Sequence, residues 1–215
     1  LRRSLKYLNE DEIFQAFQIA NTVMYIQLII SNDADFGNRE KELSEASTEN
    51  LNSLEFFQNY DSEARKREQK IAFNPSYRPF QLAFLLLNIE GIVDPSSKAR
   101  REIVDLIWFP TGGGKTEAYL AVTALTIVYR RLKNVKGYEG TTVIMRYTLR
   151  LLTAQQFERA SKLITTLEFL RKQQEFSGIL KDETISIGLW VGIGSTPNEL
   201  SKAKEKIDKI ENESN

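Results

Sequence analysis

Cysteine and histidine are both absent from these 215 residues. The first absence excludes disulfides and thiolate metal sites, and the second removes the side chain that most often titrates near neutrality and most often ligates metals. Acid–base and ligand chemistry must then rest on carboxylates, lysine, arginine and an ion carried in with a ligand. A one-sided charge is also missing. With 29 Lys and Arg against 29 Asp and Glu, overall charge does not mark a binder of nucleic acid. Nor is there an apolar run fit for a membrane: residues 13–32 carry no charge, but Gln15, Gln18, Asn21, Thr22 and Gln27 interrupt them. Ile13, Phe17, Ala20, Met24 and Leu28 recur at helical period, which predicts a buried helix. No signal peptide is visible, so the expectation is a cytoplasmic protein without a membrane partner, and the start at Leu1 reads as an excerpt.

What is present is concentrated in residues 103–120, IVDLIWFPTGGGKTEAYL. The β-branched and aromatic run 103–109 reads as a buried parallel strand that Pro110 ends by withholding a backbone donor. Gly112, Gly113 and Gly114 follow, and their backbone freedom suits a concave nest whose N–H groups face a phosphate at the positive end of the next helix. Lys115 would reach the β and γ phosphates of ATP, and Thr116 would place its hydroxyl on Mg²⁺, a hard cation that prefers oxygen ligands. Glu117 reads as a first-turn acid near the helix dipole or a local partner. The pattern G-x-x-x-x-G-K-[ST] is met except at its first glycine, where Phe109 stands.

At this length, with 41% hydrophobic residues, one α/β domain plus an addition is expected. Residues 1–70 read as a helical lead-in, with a polar stretch over 32–52. Residues 71–198 read as the first part of an ATP-binding domain, and 199–215 as a polar tail, a surface helix or an insertion. A helix follows Thr116 to about Leu132, and its interior, 118–129, is uncharged and so expected to be covered on most sides. TTVIMRY (141–147) is a second strand, residues 149–174 a long amphipathic helix with Phe157, Ala160, Ile164 and Leu167 inward, and TISIGLWV (184–191) a third strand. The order β-α-β-α-β predicts a parallel sheet with right-handed crossovers, flanked by helices. Charge is uneven along this order: residues 130–172 hold ten Lys and Arg against three acids, an excess suited to a polyanion or to a solvated helical face.

Phe109-Pro110-Thr111-Gly112-Gly113-Gly114-Lys115-Thr116 resembles the A-x-T-G-x-G-K-T phosphate loop of superfamily 2 helicases everywhere but its first position. Two other motifs lie where that class would have them. Arg78-Pro79-Phe80-Gln81 resembles the R-P-x-Q form of the Q motif, which implies that the Gln81 amide offers a donor and an acceptor to the adenine edge while a neighbouring aromatic packs on the ring. Arg150-Leu151-Leu152-Thr153-Ala154-Gln155 resembles the R-x-L-x-x-Q core of motif Ia, which implies sequence-independent contact of Thr148, Arg150 and Gln155 with a DNA backbone. Residues 190–194 resemble, more weakly, the glycine-containing motif Ib region. Together with ISIGLWVG and YRPFQLAFLLLN, these stretches resemble the DrmA-type helicases of the DISARM phage-defence system over residues 77–198.

That resemblance implies a RecA-like first motor domain, a P-loop (Walker A) site for ATP and Mg²⁺, and an ATP-driven DNA helicase or translocase in antiviral defence, with the rest of the same helicase and other defence subunits as partners. Catalytic roles fall to Lys115 and Thr116, and nucleotide contacts to Arg78, Gln81, Thr111, Gly112, Gly113, Gly114 and Glu117. An acidic motif II and an arginine from a second domain would be needed for turnover. Asp182-Glu183 precedes a predicted strand rather than ending one, so weak nucleotide binding without turnover is expected of these residues alone. Two other classes stay open: a different P-loop NTPase, either a switch or a kinase, and a non-catalytic interaction module on a nucleotide-binding scaffold.

Overall fold

The computed structural model describes residues 2–32, 76–110, 112–147, 150–190, 197 and 199–213. Among them run α1 (Arg2–Tyr7), α2 (Asp11–Asn32), α3 (Pro79–Val93), α4 (Lys98–Arg101), α5 (Lys115–Leu132), α6 (Arg150–Arg171), α7 (Gln174–Leu180) and α8 (Leu200–Glu213). They fall into two units, residues 1–185 and 186–215.

In the first unit α5 is the central helix, packing against α2, α3, α6 and α7. Its sequence explains the position. Between the loop and its basic last turn, Ala118, Leu120, Ala121, Ala124, Leu125, Ile127, Val128 and Tyr129 are all buried, so apolar side chains meet neighbours on most sides. Small alanines let α2 approach closely, and α2 answers with Ile13, Ala16, Ala20, Val23, Met24 and Ile26. Leu85 and Ile89 of α3 and Leu163, Leu167 and Leu170 of α6 complete the core. Each fully buried Leu contributes about 1.5–3 kcal/mol of hydrophobic transfer free energy. The predicted stripe on α2 is largely realised, with Ile13, Ala20 and Met24 buried and Phe17 half-buried against the core. The covered interior predicted for 118–129 is also found. No helix among the described residues is long and apolar enough to cross a membrane.

The parallel RecA-like sheet predicted from the three apolar segments is not seen. Among the described residues every regular element is a helix, and residues 103–110, 141–147 and 184–190 carry no strand. An apolar, β-branched run records a demand for burial, whereas a strand exists only when a neighbouring chain accepts its backbone hydrogen bonds. Here that cover is missing: Val104 is 94% exposed, Leu106 88%, Trp108 92% and Ile144 86%. In the second unit Trp190 is 91% exposed. The expected polar stretch over 32–52 lies, apart from Asn32, outside the described residues, as do Thr111, Thr148 and residues 191–194.

Local polar contacts fix how the helices leave the core. Tyr7 Oη donates to Asp94 Oδ2 at 3.2 Å and Tyr129 Oη to the Val93 carbonyl at 3.2 Å, joining α1 and α5 to the end of α3. Arg131 is 3% exposed, and its guanidinium donates to the Leu180 and Glu183 carbonyls, both at 2.5 Å. It satisfies the negative end of α7, where unpaired carbonyls favour a cation. Burial pulls its pKa below the usual arginine value.

Candidate functional site

The loop before α5 is shaped by its three glycines, each for a local reason. Gly112 and Gly114 have φ of +78° and +83°, the left-handed region in which a Cβ is strained. Gly113 donates its N–H to the Pro110 carbonyl at 3.1 Å, and a Cβ there would lie 2.9 Å from that same oxygen. Gly114 is the N-cap of α5, and no side chain caps the helix. An eighteen-residue helix thus starts directly behind a tight glycine turn, its first N–H groups left to a ligand or solvent.

The R-P-x-Q segment is brought onto this loop from more than thirty positions away. Arg78 is the N-cap of α3, Pro79 its first residue and Gln81 its third, so the Gln81 Oε1 accepts from Arg78 N at 2.7 Å as half of a capping box. The other end of the same amide, Nε2, donates to the Gly114 carbonyl at 2.7 Å, and the Arg78 guanidinium donates to the Gly113 carbonyl at 2.9 Å. Gln81 is 5% exposed. Its amide holds the loop, with one N–H and one lone-pair site left over. Phe80 stacks on Phe109 with ring centroids 4.0 Å apart, so the residue that replaces the first glycine of the loop pattern serves to fasten the loop to α3. Tyr77, just before Arg78, is half-buried, and desolvation holds its phenol above the ordinary tyrosine value and protonated.

Lys115 folds over the loop, donating from Nζ to the Phe109 carbonyl at 2.6 Å and the Pro110 carbonyl at 3.1 Å. Its ammonium therefore stands on the loop with neutral oxygens as partners, which a phosphate would replace by stronger charge-assisted bonds. Thr116 Oγ1 donates to Gln156 Oε1 at 3.0 Å. Glu117, 9% exposed, is ion-paired with Arg159. The two residues after the lysine are thus both gripped by α6, on positions one turn apart. Neither Gln156 nor Arg159 was among the predicted site residues. Pairs forty or more positions apart leave no local spacing signal.

Of the predicted nucleic-acid contacts, Arg150 is the first residue of α6 and Gln155 lies exposed on it. Six of the ten Lys and Arg over 130–172 have partners within the chain, several of them at its surface. Arg130 donates to the Gly137 carbonyl, Arg131 to α7, Lys133 pairs with Glu12, Arg159 with Glu117, Lys162 with Glu158 and Arg171 with Glu168. Arg171 also donates to the Asp182 carbonyl and Glu168 accepts from Ile185 N, so Asp182-Glu183 sits in a tied-down turn beside α6. No group of three acids that could hold a metal ion occurs among the described residues.

An uncapped helix start, left-handed glycines, a lysine resting on neutral carbonyls and a hydroxyl beside them form a donor set suited to an anionic phosphate carrying a hard cation. Against known proteins, the chain is 40% identical over 213 residues to DISARM protein DrmA of Bacillus paralicheniformis, a match that covers 95% of this chain and 16% of that protein. The chain spans about a sixth of the length of that relative. No family model matches the chain, and no solved structure does.

Proposed function

We propose that this chain is the nucleotide-binding part of an ATP-driven superfamily 2 DNA helicase or translocase that works in DISARM phage defence. The likeness to DrmA supports the setting. The observation that carries the nucleotide reading is the seating of Arg78 and Gln81 on the carbonyls of Gly113 and Gly114, because it joins two separately recognised motifs into one structure at an open helix start.

In this reading the amides around Thr111, Gly112, Gly113 and Gly114 cradle the phosphates of ATP, and Lys115 turns from the Phe109 and Pro110 carbonyls to the β and γ phosphates. Thr116 offers its hydroxyl oxygen to Mg²⁺, which when bound neutralises charge that develops on the phosphates. Arg159 compensates the carboxylate of Glu117 and so keeps an unpaired negative charge away from the phosphate site. Gln81 and Arg78 act first by shaping the loop, and the spare donor and acceptor of the Gln81 amide serve the adenine edge once the loop adjusts. Thr148 before α6, Arg150 at its start and Gln155 in its second turn hold a DNA backbone without reading bases. The remainder of the protein supplies the acidic and arginine groups needed for hydrolysis, and other DISARM subunits are its partners.

DNA-stimulated ATP hydrolysis by the intact protein tests the motor. Stimulation that weakens steeply as salt rises supports contact with the backbone, since phosphate neutralisation releases counterions. Hydrolysis indifferent to DNA at every salt concentration would remove the helicase reading and leave a phosphate-loop enzyme of another class.

A further inference from the structure

We infer that Gln156 is a positioning residue for the nucleotide-bound cation, acting through Thr116; this rests on the proposed ATP–Mg²⁺ site. A threonine hydroxyl carries one proton and two lone pairs. In this structure the proton is already committed, because Thr116 Oγ1 donates to Gln156 Oε1 at 3.0 Å. The two lone pairs are thereby left to a hard cation or a hydrogen-bond donor, with no proton remaining to offer a further acceptor. Without that acceptor the hydroxyl rotor would be free to donate its proton to a phosphate oxygen instead.

The orientation is maintained by more than the one bond. Arg159, three positions after Gln156 on α6, pairs with Glu117, the residue after Thr116, so two adjacent contacts fix the rotation and height of the α5 start against α6. Gln156 is half-buried, so its amide is partly shielded from solvent competition. α6 is also the helix that begins at Arg150, and the presentation of the cation ligand is therefore tied to the segment proposed to face DNA.

The test measures binding rather than turnover. ATP affinity of the intact protein is titrated with Mg²⁺ and with EDTA, and the ratio of the two affinities is the readout. For Gln156→Ala the ratio falls by about tenfold, the usual effect of losing an outer partner of a metal ligand, while the EDTA affinity stays at its wild-type value. Gln156→Glu keeps the acceptor and retains the Mg²⁺ enhancement, whereas Gln156→Met keeps the volume without the acceptor and loses it, a split that a merely space-filling role for Gln156 would not give. An unchanged ratio in Gln156→Ala, or a loss in Gln156→Glu equal to that in Gln156→Ala, overturns the inference while leaving the ATP site standing. Wild-type protein that binds no ATP under either condition overturns both.

Discussion

Replacing Gly114 by alanine isolates the contact that joins the R-P-x-Q segment to the loop. Two costs follow from the geometry. At φ of +83° a residue with a Cβ is held in the left-handed region, at a cost of roughly 1–2 kcal/mol. The new Cβ would also lie 2.6 Å from Gln81 Nε2, closer than any real contact, so the amide must leave the Gly114 carbonyl. Gln81 is 5% exposed, and an amide deprived of its partner at such a position costs about a further 1–3 kcal/mol. Gly112→Ala is the internal control: its φ is +78°, but nothing lies within 4 Å of the added atom, so only the backbone term applies. Denaturant unfolding followed by circular dichroism should show Gly114→Ala less stable than Gly112→Ala by about 1–3 kcal/mol. In a Gln81→Ala background that difference should shrink to a few tenths of a kcal/mol, because the displaced bond is already gone. Equal losses at the two glycines, or a gap that survives removal of the Gln81 amide, would refute the role given to Gln81.

The core supplies a second prediction: Leu125→Ala and Leu163→Ala, both at fully buried positions, each cost about 2–5 kcal/mol, whereas Leu87→Ala, at a position 44% exposed, costs well under 1 kcal/mol. Thermal or denaturant melts of the three variants decide it, and equal losses would contradict the packing. A third concerns the uncovered apolar segments. Trp108 and Trp190 are each more than nine-tenths exposed, so the 215-residue chain should emit like indole in water and both residues should be quenched by acrylamide; a blue-shifted, quencher-resistant emission would show that these segments are covered. Trp108→Ala should then change stability by no more than about 0.5 kcal/mol.

Helices were legible where their own spacing decides burial. The stripe on α2 and the uncharged interior of α5 announce faces that the same short segment can present, and both are buried as expected. The segments 103–109, 141–147 and 184–190 were misread as a sheet because period and composition specify how badly a run needs covering, not which backbone will pair with it. Trp108 and Ile144 carry that demand unmet. In the candidate site, the loop glycines and Lys115 were readable because they are contiguous and each has a backbone reason. Gln81 was found for its likeness to an adenine-binding glutamine, yet its place three residues after an N-cap, with proline at the first turn, already signalled a capping box. Gln156 and Arg159 left no such signal, since their partners on α5 are reached only through the packing of α6. The partners of the basic run over 130–172 were hidden for the same reason: Arg131 and Arg171 serve carbonyls and a carboxylate that folding brings to them.

In the proposed function the glycine turn before α5 binds a nucleotide through Lys115. Calorimetric titration of the intact protein with ATP and Mg²⁺, wild type beside Lys115→Ala, tests it most directly. Saturable binding is expected of the wild type, with an affinity lower by at least about tenfold in the variant, the loss expected of a charge-assisted contact of about 1.5–3 kcal/mol, and with the melting temperature unchanged because Lys115 makes only exposed hydrogen bonds to the loop. Equal affinity in the two proteins, or no binding by a folded wild type, would contradict it.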